Sequence, residues 1–298
     1  MRTRLLISFL AIAVLAHPCF GQTTTRTIRL TTSDDVGVVG TFYPVQGDSV
    51  PVVLLLPGYN QLRGEWAAFA SYLQRNGIAA LTIDLRGQGD STRQLTPEGV
   101  RALQREQFGT RDFQNMQLDV EAAVSWLQDQ PGIKNDGIAI AGASVGANVA
   151  LRYAAVNEDL AAILLLSPGI NYKGLRTDDV ITSVGSRPLR IVVSQYDSFA
   201  FESSKRLVEI RKEAGQVADG KELIISTGNL HGTDMLAGVK KLPEILMVWF
   251  QQVLLGIAPE PTKPVTPAAE SPALIPVPAG TTSSPTSAPA AQQPIPSK

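Results

Sequence analysis

The chain reads as an α/β protein, with a mostly parallel sheet covered by helices on both faces. Three observations predict this. Short runs apolar on both faces recur, as at residues 52–56, 78–83 and 161–166. Such runs fit strands buried inside a sheet. Segments of helical period lie between them, and Gly, Pro or Asn closes most elements. Strand and helix in alternation favour parallel pairing, because each return crossing needs a helix to cover the sheet.

The elements follow in order. Residues 27–45 alternate and carry Ser33, Asp34, Asp35 and Gly37 at their middle, a hairpin signature. The strand at 52–56 ends at Pro57-Gly58. A helix at 65–75, built on Trp66, Phe69, Ala70 and Leu73, stops at Asn76-Gly77. The next strand, 78–83, runs into Asp84. Residues 92–116 are polar and irregular, with partial helix expected. Helices are expected at 118–127, 148–156, 203–213 and 242–255. Strands are expected at 137–141, 161–166, 189–194 and 221–226. Residues 171–187 form a modest insertion, too short for a large lid, so an open site is expected. The segment 92–116 is expected to supply its other wall.

Both ends differ in composition from this body. Arg2 and Arg4 precede an apolar run at 5–16, followed by small residues. The run is shorter than the ~20 residues a spanning helix needs. It reads as an export signal over 1–21, with a cut before Gln22. His17 and Pro18 suit a lipoprotein cleavage site at Cys19 poorly. The expected destination is secreted or periplasmic, with envelope association left open and no membrane span after cleavage. Residues 257–298 are rich in Pro, Ala, Thr and Ser and carry no aromatic residue, so a disordered tail is expected there. The folded body is then 22–256.

Composition narrows the chemistry. With 26 Lys and Arg against 27 Asp and Glu, net charge is -1, which gives no electrostatic footprint for nucleic acid. The chain has one cysteine and two histidines. Removing residues 1–21 takes Cys19 and His17 with them. What is left has no disulfide, no thiol nucleophile and no His/Cys zinc set, and neither metal nor organic cofactor is expected. Imidazole chemistry must use His231.

Gly142-Ala143-Ser144-Val145-Gly146 is a G-x-S-x-G sequence between a strand and a helix. A sharp turn there would lift Ser144 into a strained, exposed position, with small neighbours required two residues away. A serine hydroxyl needs a base. His231, on a glycine-containing loop before the last helix, is expected to supply it. A carboxylate must orient that imidazole. Asp197, just beyond the strand at 189–194, is favoured. Asp234 lies near His231 in sequence only, and Asp178 and Asp179 fall in the insertion. The tetrahedral intermediate needs two backbone donors. Val145 N–H, at the helix start, and Tyr59 N–H, after Gly58, are the candidates.

The order Ser144, Asp197, His231, together with Asp84-Leu85-Arg86-Gly87-Gln88-Gly89-Asp90-Ser91, resembles the α/β-hydrolase superfamily. The likeness is greatest to its dienelactone hydrolase-like and prolyl-oligopeptidase-like serine hydrolases, over about residues 27–256. The second motif looks like the D-x-R-G-x-G-x-S turn of these proteins, and the resemblance implies a bracing role for it. It also implies an α/β-hydrolase fold and ester hydrolysis through an acyl-enzyme on a small-molecule or peptide acyl substrate. Peptidase or acyltransferase chemistry on the same triad is the alternative. A non-catalytic envelope-binding protein that keeps the fold is a further one. Two departures matter. Pro57-Gly58 stands where the family usually has His-Gly, and Ser144 stands where dienelactone hydrolases carry cysteine.

Overall fold

The computed structural model describes residues 24–217 and 221–258. The chain divides into two units, 1–259 and 260–298, and the second lies wholly outside the described residues. So do the leader expected over 1–21 and all of the expected tail except Ile257 and Ala258.

The elements are β1 (Arg26–Thr31), β2 (Val36–Tyr43), β3 (Val50–Leu56), α1 (Ala67–Arg75), β4 (Ala79–Ile83), β5 (Arg93–Thr96), β6 (Gly99–Ala102), α2 (Thr110–Gln114), α3 (Met116–Gln128), β7 (Ile133–Ala143) and α4 (Val145–Val156). After them come β8 (Ala162–Leu166), β9 (Asn171–Tyr172), β10 (Leu175–Arg176), β11 (Leu189–Ser194), α5 (Ser198–Glu213), β12 (Leu223–Ser226), α6 (Asp234–Gly238) and α7 (Leu242–Leu255).

Among the described residues the main sheet runs β12-β11-β8-β7-β3-β4-β2-β5-β6, with β1 on the other edge of β2. From β12 to β4 every pair is parallel. The pairs made by β2 and the β5–β6 pair are antiparallel. This is the mostly parallel sheet of an α/β-hydrolase fold.

Strand alternation builds two cores. Val52, Leu54 and Leu56 of β3 and Ile138 and Ile140 of β7 face α3 and α4. Val53 and Leu55, with Ala139, Ala141 and Ala143, face α1 and α7, where Trp66, Phe69, Leu73, Leu246 and Phe250 pack. Both faces of each central strand are dry, which explains the unbroken apolar runs. Burying a Leu or Phe side chain contributes about 1.5–3 kcal/mol, so these strands anchor the loops at their carboxyl ends.

The segment 92–116 corrects one expectation. It is not irregular: β5 and β6 form a hairpin that extends the sheet, followed by the short helix α2. Every residue of β5 and β6 is exposed or half-buried, so neither strand shows the apolar core face that marks the central strands. Pro97, between the strands, and Gly99 (φ 122°), which opens β6, were the available turn signal. Helix α5 starts at Ser198, ahead of the expected 203, because Asp197 ends the preceding loop and stands at its N-cap.

Candidate active site

Four loops meet at the carboxyl end of the parallel strands: the turn after β7, the loop after β3, the β11–α5 loop and the loop between β12 and α6. Ser144 sits at the turn from β7 into α4 with φ 52° and ψ -119°. A non-glycine residue held there stores about 1–3 kcal/mol of backbone strain. Packing holds it. The Ser144 amide donates to Leu166 O at 2.8 Å, and its carbonyl accepts from Ala147 N–H at 2.9 Å. The flanking glycines are obligatory. A Cβ at Gly142 would run into the Gly146 carbonyl, and one at Gly146 into the Pro57 carbonyl.

The imidazole is oriented by the expected carboxylate. His231 Nδ1 and Asp197 Oδ2 are 2.6 Å apart, a charge-assisted distance. Asp234 makes no such contact; it begins α6, and its amide donates to His231 O. Asp178 and Asp179 pair with Arg176 and Arg152. Asp197 is 15% exposed and His231 41%, so the pair is sheltered on its carboxylate side and open on its imidazole side.

The base loop is joined to the serine turn. Gly232 N–H donates to the buried Ser167 hydroxyl at 3.0 Å. A Cβ on Gly232 would meet Ala143 Cβ at 3.4 Å. His231 and Ser144 are thus brought together by contacts one residue away from each, and no hydrogen bond links their side chains. In unliganded sites that bond is often long and tightens with substrate.

Gly58 closes the third side. A Cβ there would stand 3.3 Å from Ser144 Cβ and 2.6 Å from Gln61 Oε1. Gln61 was missed from sequence. It accepts from Gly58 N–H at 3.1 Å and donates to Thr233 Oγ1 at 3.0 Å, tying the β3 loop to the His231 loop. Neither Tyr59 N–H nor Val145 N–H donates to a backbone or side-chain acceptor among the described residues. Val145 is the first residue of α4, where amides have no intrahelical partner.

The D-x-R-G-x-G-x-S turn lies beside these loops. Asp84 pairs with Arg63 and accepts Arg63 N–H at 2.7 Å. Arg86 Nε and N–H both donate to Asp119 at 2.8 Å, and the guanidinium also grips Asp34. The side-chain amide of the buried Gln88 faces two carbonyls, Gly58 O at 3.1 Å and Gln61 O at 2.5 Å, and since both can only accept, its nitrogen is assigned as their donor. That turn therefore braces the loop carrying Tyr59.

The wall expected from 92–116 is partly aromatic. Phe108 meets Phe113 edge-on, 5.8 Å between centroids, and Phe113 lies 6.0 Å from the Tyr59 ring. Tyr172 and Phe199 were not anticipated. Tyr172 stands edge-on to His231, 6.5 Å between centroids, and packs on Phe199. Burial, and then the Asp197 charge, pushes the Tyr172 phenol far above its usual range, so it stays neutral. Buried Asn148 on α4 fixes the insertion by bonding Gly169 and Leu175.

The family described as serine aminopeptidase, S33, matches residues 47–202, more than half of the chain. The chain belongs to this family. Among curated proteins, a polyketide transferase, GrgF, of a Penicillium species is 26% identical over 148 residues, 49% of this chain and 46% of the relative. An uncharacterized protein of Mycobacterium tuberculosis is 31% identical over 144 residues, 48% of this chain and 45% of that protein. The alignments thus span about half the length of these curated relatives. The GrgF crystal structure superposes with a TM-score of 0.63 at 18% identity, covering 78% of this chain and 99% of that one. An esterase of Pyrococcus furiosus gives 0.59 at 18%, covering 78% and 94%. A dienelactone hydrolase of Anabaena variabilis gives 0.56 at 20%, covering 78% and 99%. These three share the fold.

Proposed function

We propose that this protein hydrolyses a carboxylic ester through Ser144, His231 and Asp197. The observation that carries the reading is the 2.6 Å Asp197–His231 contact beside a serine held at φ 52°. Ser144 Oγ attacks the acyl carbonyl while His231 Nε2 takes its proton. The oxyanion forms against Tyr59 N–H and Val145 N–H. His231 returns the proton to the leaving alcohol, and an acyl-Ser144 ester remains. Water, deprotonated by the same nitrogen, then releases the acid and restores the serine. Asp197 holds the imidazole tautomer and stabilises its cation.

A p-nitrophenyl ester assay with rapid mixing tests this. A burst of nitrophenol, one per active site, should precede steady turnover. Asp197→Asn should lower kcat by about 10⁴-fold. A steady rate untouched by that substitution would count against the reading.

Acyl transfer is the second reading, favoured by the names of the curated relatives. It differs only in the acceptor, an alcohol in place of water. Product partitioning in added alcohol separates the two. We further propose export through residues 1–21, with 22–256 as the mature hydrolytic body. This rests on Arg2, Arg4 and the apolar run that follows them. Sequencing the secreted amino terminus, expected at Gln22, tests it.

A further inference from the structure

Two cations share the Tyr59 ring. Lys173 Nζ stands 4.5 Å from its centroid and Arg105 Cζ 4.8 Å. The two charges therefore lie within about one Debye length of each other. Tyr59 follows Gly58, which abuts Ser144, and Lys173 follows Tyr172, which abuts His231. The β9–β10 hairpin thus carries a positive charge from the imidazole side of the site to its oxyanion side.

Neither cation is neutralised well. Lys173 is exposed and in no ion pair among the described residues. Its backbone is fixed at φ 55°, with Gly174 N–H held by Asn171 Oδ1 at 2.9 Å. Arg105 has one carboxylate partner, Glu106, whose side chain is 70% exposed. Such a surface pair contributes little. The Arg105 side chain itself is 15% exposed, and its Nε is buried without an acceptor. The same pair would repel the protonated amino terminus that an aminopeptidase must hold.

We propose that Lys173 and Arg105 form a subsite for a carboxylate on the substrate, several bonds from the scissile carbonyl. The preferred esters are then half-esters of dicarboxylic acids. This rests on the hydrolase reading above.

The test compares mono-p-nitrophenyl adipate with p-nitrophenyl hexanoate, which match in acyl length. The wild type should favour the anionic ester at least tenfold in kcat/KM, and salt should shrink that ratio. Lys173→Gln and Arg105→Gln should each cut the ratio several-fold, and Lys173→Glu should invert it. Lys205→Gln, on α5 beside Glu202, is the control and should leave the ratio unchanged. A wild-type ratio near one, or one that survives Lys173→Glu, overturns the subsite. Calorimetry with monomethyl adipate on Ser144→Ala separates the two readings. If no ester is turned over, the hydrolase reading falls. Binding lost in Lys173→Glu would still uphold the subsite, and binding equal in both would overturn it.

Discussion

The turn after β7 and the turn after β4 are both glycine-rich, and both end a buried parallel strand. In the first, Ser144 is strained and partly exposed, and the Val145 amide is left without a partner. In the second, Asp84, Arg86, Gln88 and Ser91 are buried, and each makes hydrogen bonds. Gly89 (φ 50°) serves that second turn, because a Cβ there would run into the Asp84 carboxylate. The strained turn with an unpartnered amide thus lies beside one whose buried polar side chains are all partnered.

That contrast predicts separable effects. Ser144→Ala should lower kcat by about a millionfold. Its unfolding free energy should stay within about 0.5 kcal/mol of wild type, since the side chain bonds nothing. Arg86→Met should do the reverse. It strands the fully buried Asp119 and costs about 3–5 kcal/mol of stability, read by urea unfolding, while any activity per folded molecule falls far less. If Arg86→Met left stability unchanged, the bracing role would be lost.

Gln88→Leu sharpens the comparison, because Gln88 joins the two regions. Losing its bonds to Gly58 O and Gln61 O should misplace the Tyr59 amide. The expected cost is about tenfold in kcat, with KM little changed. A pure KM effect would place Gln88 in substrate binding instead.

The smallest effect is at Asp34. Burial raises its carboxyl, but hydrogen bonds and charge from Arg86, with Thr32, outweigh this and hold it below the usual range. Folded Asp34 therefore binds its proton less tightly than the unfolded chain does. It contributes stability above the ordinary carboxylate pKa and loses it as pH falls through the lowered value. Asp34→Asn should cost about 1 kcal/mol or less at neutral pH. The gap from wild type should close in acid; a gap that is constant with pH would contradict this.

The buried half of the molecule was legible because dry strands leave apolar runs, as at β3 and β8, and because chain order singled out Ser144, Asp197 and His231 as candidates. Asp197 could be chosen over Asp234 from its place after a strand alone. The exposed half was not legible. Strands β5 and β6 bury no residue fully, so their sequence carries no apolar face. Gln61, on a loop, and Tyr172, on the β9–β10 hairpin, reach the site only through tertiary folding, and no spacing along the chain foretells that. Gln88 was in view as the variable position of a turn, yet its bonds to the Gly58 loop are tertiary.

The most direct test of Ser144 as nucleophile is labelling by a fluorophosphonate, followed by peptide mass mapping. One adduct per chain on the peptide containing Ser144 is expected, slowed at least a thousandfold in His231→Ala. Folded protein that takes up no label, or takes it at another serine, would contradict the account.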